Sequence, residues 1–295
     1  MNALIYRRRK LGRTSAREIS RYSKEGILNV RNDQRFPPNI DIVFRWGCTS
    51  NLPAGVTVVN TAEAIHQVAN KLAFRKLTAD QNLAPKTWLS CREWFDDYWQ
   101  DYDNLGFGAD IKFAKKFVVR RATHHQGRFL DVCTTYNEMI KSCDKYGEGN
   151  YYISEYIPKV AEYRVFIVSG RVVWVAQKTP GNPDDVAWNV ARGGRFDNVR
   201  WDNWPLKAVR VAREAFLLSS LDFGGVDVMV DAEGNAYVLE INSAPSQTSP
   251  YRQECTAKAF DYIVRHGKER IDVTKERGGY RKFIHPCLTN EAIEV

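Results

Sequence analysis

The stretch GGVDVMVD at residues 224–231, followed by AYVLEINSAPS at residues 236–246, is the most informative part of the chain. Both segments are apolar and rich in β-branched residues, which is typical of strands. The turn signal DAEGN at residues 231–235 joins them and predicts an antiparallel hairpin. One strand therefore carries Asp227, and the next carries Glu240 and Asn242, two residues apart.

Asp227, Glu240 and Asn242 form a candidate metal site. Side chains alternate between the two faces of a strand, so Glu240 and Asn242 share one face, and the hairpin can bring Asp227 close to both. Two carboxylates and an amide are all oxygen donors, a set that suits one or two Mg²⁺ ions that also bind nucleotide phosphates. The alternative is that these polar side chains face solvent on a half-buried sheet.

Composition and charge limit the possible classes of protein. The chain has 295 residues, of which 44% are hydrophobic and 26% charged, so it can bury a full core and is too apolar to be disordered. Its six cysteines are scattered without metal-type spacing, which favours reduced thiols in a cytoplasm. No apolar run approaches the roughly 20 residues needed to cross a bilayer, so no membrane association is expected.

The net charge of +8 and the pI near 9.1 favour anionic partners. The candidates are a nucleotide, an acidic substrate or a nucleic acid. No helix-turn-helix, zinc-finger or RNA-recognition signature accompanies the charge, so nucleic acid is the minor alternative. GxGxxG and P-loop patterns are also absent, which argues against dehydrogenases and P-loop kinases.

The first part of the chain reads strand, helix, strand, which predicts a small α/β lobe over residues 1–60. Ser15 begins a predicted helix that runs to Lys24, and Glu18 would complete a capping box with it. An apolar strand is predicted at Ile40–Trp46.

The rest of the chain continues with an amphipathic helix that begins at Thr61 and then becomes rich in strands from Lys116 onward. The strands Tyr163–Val168 and Arg171–Gln177 are separated by Ser169-Gly170, one of the clearest hairpin signals in the chain.

Several motifs between residues 58 and 246 occur in the order found in one known family. They are VVNTAEAIHQVANKLAFRKLTADQNLAPKTW (58–88), FVVRRATHHQGR (117–128), ISEYI (153–157), AEYRVFIV (161–168), WNVARGG (188–194) and the strand pair described above. This arrangement resembles the ATP-grasp superfamily, nearest in kind to the ribosomal-protein glutamate ligases and related peptide-bond-forming members. The resemblance implies an α/β (α+β) fold with three lobes.

The lobes that the resemblance implies have approximate boundaries. Residues 1–60 would be the N-terminal lobe that precedes the ATP-grasp. Residues 61–157 would be the first ATP-grasp lobe, with a linker helix, a phosphate-covering loop and an adenine hinge. Residues 158–295 would be the second lobe, with the metal site and a C-terminal tail, and the two ATP-grasp lobes would clasp ATP.

The resemblance also implies roles for individual residues. ATP would be bound by Lys71, Arg120, the hinge residues Glu155, Tyr156 and Ile157, the ribose-binding acid Glu162, and Asn189. Mg²⁺ or Mn²⁺ would be held by Asp227, Glu240 and Asn242, while Arg192 and Lys178 would have catalytic roles. Lys178 ends the strand VVWVAQK, and the alternative is a surface lysine at a strand end.

Two positions depart from the family pattern. Arg120 stands where the family has a lysine, and arginine keeps a permanent charge that can fork onto phosphate. The phosphate-covering loop has only Gly127 where related enzymes have several glycines, with His124 and His125 beside it. These histidines either contact phosphate or face solvent.

The expected activity is an ATP- and Mg²⁺-dependent carboxylate–amine ligase that forms an amide through an acyl phosphate. The expected partners are a small-molecule carboxylate and an amine, with an anionic substrate among the options. Arg45, Arg164 and Arg195 are the candidates to hold such an anion, on charge alone. The alternatives are a binding module of the same fold without turnover, and a ligase whose acceptor is a protein tail or a nucleic acid.

Overall fold

The computed structural model describes residues 1–9, 12–98, 111–122, 129–182, 185–188 and 193–268. In this part of the chain, thirteen strands form three sheets. The N-terminal sheet is parallel and contains β1 (Ala3–Arg7), β2 (Leu28–Arg31), β3 (Ile42–Trp46) and β4 (Thr57–Val59), in the order β2-β1-β3-β4. These strands confirm the predicted N-terminal α/β architecture.

Helix α1 (Arg13–Tyr22) connects β1 to β2 and begins earlier than the sequence predicts. Its N-cap is Gly12 in the left-handed conformation (φ 64°), where a side chain would collide with the indole of Trp46. The predicted capping box at Ser15 is therefore wrong. Ser15 is buried inside the helix, and its hydroxyl accepts a hydrogen bond from the Gln247 amide N–H (2.8 Å), so it ties α1 to the chain beyond β13.

The central sheet has the order β5-β8-β6-β7 and is antiparallel. Its strands are β5 (Thr87–Trp88), β6 (Lys112–Arg121), β7 (Leu130–Thr135) and β8 (Tyr151–Glu155), and it packs with helices α4 (Cys91–Tyr98) and α5 (Tyr136–Tyr146). Trp94, Phe117 and Met139 lie at the centre of this core and are fully buried. The aromatic residues of α4 therefore have a packing role.

The C-terminal sheet has the order β11-β10-β9-β12-β13 and is also antiparallel. Its strands are β9 (Lys159–Val168), β10 (Arg171–Thr179), β11 (Arg195–Val199), β12 (Phe223–Asp231) and β13 (Ala236–Asn242). Ser169 and Gly170 both have positive φ (49° and 78°), as a two-residue type I′ turn requires. Both predicted hairpins are confirmed.

Three helices cover one face of the C-terminal sheet in a single core: α2 (Ala62–Ala69), α3 (Lys71–Asp80) and α6 (Leu206–Leu218). Helix α7 (Pro250–His266) packs against α1 and joins the N-terminal sheet to the opposite face. The predicted lobe boundaries at residues 60 and 157 stay predictions. Across the described ranges, no helix combines the length and the apolar character that crossing a membrane would require.

Candidate active site

A cavity of about 820 Å³ lies between the central and C-terminal sheets. This volume falls within the range of roughly 300–1,000 Å³ that is usual for ligand sites. The predicted site residues that line it are Lys71, Arg120, Glu155, Tyr156, Ile157, Glu162, Lys178, Asp227, Glu240 and Asn242. The tertiary structure thus brings together side chains from α3, both sheets and the segment that joins them.

Asp227 and Glu240 stand directly opposite each other on β12 and β13. Opposed residues of an antiparallel pair project from the same face, so the predicted convergence of the two carboxylates is confirmed. Asn242 follows two residues later on the same strand, and its side-chain amide donates a hydrogen bond to Glu240 Oε1 (3.1 Å). The cavity is therefore lined by two carboxylates and an amide from neighbouring strands.

Each carboxylate is paired with a cation. Arg164 binds both oxygens of Asp227, at 2.6 and 2.7 Å, and Lys178 Nζ lies 3.6 Å from the same group. Lys71 Nζ donates to Glu240 Oε2 at 2.9 Å. Asp227, Arg164 and Lys178 are all almost fully buried, so these charges interact more strongly than they would at the surface.

The pKa of Glu240 is held well below its usual range. Burial by itself would raise it, but Lys71 and Arg120, with the Asn242 hydrogen bond, stabilise the charged form more strongly. Because the folded-state pKa lies below the unfolded value of about 4.3, the charge contributes stability at neutral pH and loses it as pH falls.

We predict a corresponding difference between the parent and Glu240→Gln. The difference between their free energies of unfolding should be constant above about pH 5 and shrink progressively below about pH 4, because only the parent takes up a proton here. Urea denaturation from pH 6 to pH 3 measures it. A difference that does not change over this range would contradict the assignment.

Glu162 is 2% exposed and is held between two lysines, Lys159 and Lys178. The sequence predicts it as the ribose-binding acid, and the structure places it in the cavity wall with both oxygens paired. Lys159 was not anticipated: a lysine next to a proline at the start of a strand carries no distinctive pattern. Its pKa is lowered by burial, with Lys178 and Arg120 adding to the effect against the opposing influence of Glu162.

The predicted adenine hinge lies between β8 and β9. The Glu155 and Tyr156 amides already donate to the backbone carbonyls of Lys86 (3.1 Å) and Lys116 (2.9 Å). They are therefore bound within the central sheet, which narrows the prediction that their backbone groups meet the base. The next hinge residue, Ile157, also lines the cavity.

Several predicted residues lie outside the described ranges: Asn189, Arg192, His124, His125 and Gly127. The candidates for holding an anion fall in different places. Arg45 is buried in the N-terminal lobe and donates to the carbonyls of Cys48 and Ser50, while Arg195 is exposed and pairs with Asp197. Of these three, Arg164 is the one that lines the cavity.

The donor set fits a hard divalent cation. A carboxylate oxygen has two lone pairs, so Asp227 can accept from Arg164 and Glu240 from Lys71 while each still offers a ligand. No group of three or more His, Cys, Asp or Glu side chains suited to a metal occurs in the described ranges. Phosphate oxygens and water would therefore complete the coordination, as is usual for Mg²⁺.

Comparison with known proteins identifies similar chains. Residues 50–260 match a family of ATP-grasp domains, the third family of its clade. A stretch of 40 residues is 55% identical to the D-alanine–D-alanine ligase of Burkholderia cenocepacia (strain HI2424). That match covers 13% of this chain and 13% of the relative, so the chain spans only a small part of this relative's length.

Two solved structures are similar over most of the chain. The D-alanine–D-alanine ligase from Bacillus anthracis has a TM-score of 0.61 at 14% identity and covers 90% of this chain and 97% of that chain. The macrocyclase MdnC from Microcystis aeruginosa MRC, bound with the precursor peptide MdnA, has a TM-score of 0.57 at 14% identity. It covers 90% of this chain and 100% of that chain. At such identities the similarity establishes the fold alone.

Proposed function

This chain belongs to the ATP-grasp domain family that its residues 50–260 match, and from that premise we propose that it is an ATP- and Mg²⁺-dependent carboxylate–amine ligase. The observation that carries the proposal is the pairing of Asp227 with Glu240 inside a cavity whose other walls carry several cations. A site with buried carboxylates and surrounding cations suits a reaction in which phosphate charge is redistributed.

ATP would lie along the cavity from the hinge toward the carboxylates. We assign the Ile157 amide as the hinge donor to adenine, because the amides of Glu155 and Tyr156 are already bound to backbone carbonyls. Glu162 would accept the ribose hydroxyls, a role that needs one of its two lysines to turn toward phosphate. Lys71 and Arg120 would contact the phosphates, and Asn189 and Arg192 stay predicted contributors.

Asp227, Glu240 and the Asn242 amide oxygen would hold the divalent ion. Bound there, the ion would neutralise phosphate charge and orient the transferred group. The ion would compete with Arg164 for Asp227 and with Lys71 for Glu240, so we expect these cations to turn partly toward the phosphates or the substrate. This exchange keeps the buried charges compensated in both states.

The proposed reaction has two steps. A carboxylate oxygen attacks the γ-phosphorus of ATP, the bond between that phosphorus and the bridging oxygen breaks, and ADP leaves. The amine nitrogen then attacks the acyl carbon, phosphate leaves, and the nitrogen loses one proton. Lys178 lies within 3.6 Å of Asp227 and would offset the negative charge that builds up when the two anions meet.

The test is a screen of amino acids and small carboxylic acids with ATP and Mg²⁺, in which hydroxylamine replaces the unknown amine. An acyl phosphate reacts with hydroxylamine to give a hydroxamate, which mass spectrometry identifies along with ADP. We expect at least one acid to give equal amounts of ADP and hydroxamate. Tight ATP binding with no product from any acid would favour the binding-module alternative, and product only with a peptide or nucleic acid would identify a macromolecular substrate.

A further inference from the structure

Three cations surround the ring of Phe196 on β11. Arg164 lies 4.6 Å from the ring centroid, Lys178 lies 5.4 Å from it, and Arg252 lies 5.8 Å from it. Arg164 and Lys178 are each paired with buried carboxylates in the cavity. Arg252 comes from a different element, the first turn of α7.

Arg252 differs from its two neighbours because it has no carboxylate partner among the described residues. Its side chain lies against the rings of Trp174 (5.6 Å) and Phe196 and donates one long hydrogen bond to the Phe196 carbonyl (3.4 Å). The residue is nevertheless only 3% exposed. Arg252 is also not among the described residues that have a sealed, unbonded side-chain nitrogen, so its other donors stay accessible.

A buried cation without a partner is costly, and this one shows that cost. The pKa of Arg252 is lowered to about 10 by burial and by the nearby Arg164, against the weaker opposite effect of Asp197. Protein charges are usually buried only with a partner. An anion that binds beside Arg252 would supply the missing charge.

The position of Arg252 connects it to the reaction site. Trp174, beneath Arg252, shares a face of β10 with Lys178, because residues four apart on a strand project to the same side. The loop from β13 to α7 also links the two places, since Pro245 and Ser246 line the cavity and α7 begins at Pro250. Arg252 therefore lies just beyond Arg164, at the end of the cavity that holds Asp227.

We propose that Arg252 is a specificity-determining residue that binds a second carboxylate of the substrate, so that the enzyme selects acids with two or more carboxylates. This inference rests on the proposed function, since it assigns one carboxylate to activation near Asp227 and Glu240 and the other to Arg252. The amidated analogue of such an acid lacks the second charge, and a buried guanidinium discriminates strongly against it.

The experiment uses the full chain with ATP, Mg²⁺ and hydroxylamine, and three matched pairs of acids. These are L-glutamate and L-glutamine, L-aspartate and L-asparagine, and glutarate and its monoamide. We expect the parent to prefer the acidic members. Arg252→Gln should lower kcat/KM for the acidic members by about 10- to 100-fold, the effect of losing a hydrogen bond to a charged group, and leave the neutral members nearly unchanged.

Two further variants separate recognition from packing. Arg252→Lys keeps the charge and should retain part of the preference for acids. Arg265→Gln removes an exposed arginine from the same helix and should match the parent. A purely structural Arg252 would lower both members of each pair equally, and that result would overturn the inference.

The outcomes also separate this inference from the function on which it rests. A parent that is active only with the neutral acids, or equally with both members of a pair, upholds the ligase and overturns the role of Arg252. A parent that gives no hydroxamate with any acid overturns both. The preference of the parent is itself decisive, so the inference stays falsifiable even if Arg252→Gln fails to fold.

Discussion

Replacing Glu240 by glutamine should lower ligation by about two orders of magnitude or more, while ATP affinity falls much less. Glutamine keeps the shape of the side chain and removes the charge that faces Lys71 and would face the metal ion. That charge is needed most in the transition state, when the phosphoryl group lies between two oxygens. Hydroxamate formation with an active acid, together with calorimetric ATP binding, measures the two effects separately.

The matched control is Glu233→Gln, an exposed glutamate in the turn that joins the same two strands. It removes the same charge from the same hairpin without touching the cavity, so its turnover should equal that of the parent. Parental turnover in Glu240→Gln would contradict the assigned metal site. An equal loss of turnover and ATP affinity would indicate that Glu240 only binds the nucleotide.

Replacing Arg164 by methionine should lower the free energy of unfolding by about 3–5 kcal/mol, because it leaves Asp227 buried without its main partner. The two side chains are 11% and 3% exposed, and two short hydrogen bonds join them. Lys178, at 3.6 Å from Asp227, compensates only part of the loss. Urea denaturation without Mg²⁺ or nucleotide measures the protein's own charge pairing.

Two comparisons support the interpretation of this loss. Arg195→Met breaks an exposed pair with Asp197 and should cost less than about 1 kcal/mol. The double variant Arg164→Met with Asp227→Asn should be more stable than Arg164→Met alone, because it removes the uncompensated charge as well as its partner. A double variant that is as unstable as the single one would show that Arg164 acts through packing.

The sequence predicted the parts of the site that depend on local pattern. Apolar alternation with a turn signal identified both hairpins, and strand periodicity placed Glu240 and Asn242 on one face with Asp227 opposite. The ATP-grasp resemblance of residues 58–246 is confirmed by the family match over residues 50–260 and by the similar folds of solved ligases. These features follow from residues close in sequence or from a motif order.

The sequence did not predict features that depend on contacts between distant segments. Ser15 looks like a helix cap, yet it lies inside α1 because its hydroxyl is bound to the backbone of Gln247, far away along the chain. Lys159 and Arg252 carry no motif, and their surroundings come from strands and a helix that meet only in the folded chain. Charge alone likewise did not separate Arg45, in the N-terminal lobe, from Arg164, in the cavity.

The sequence by itself therefore determined the fold family, the hairpins and the oxygen-donor ladder on β12 and β13. Only the tertiary structure decided which cations are paired with those carboxylates and which cation has no partner. The physical reason is that strand periodicity is a property of neighbouring residues, whereas the compensation of a buried charge depends on every side chain within a few ångströms. Arg164 and Arg252 have the same side chain, but packing gives one of them Asp227 and gives the other two aromatic rings.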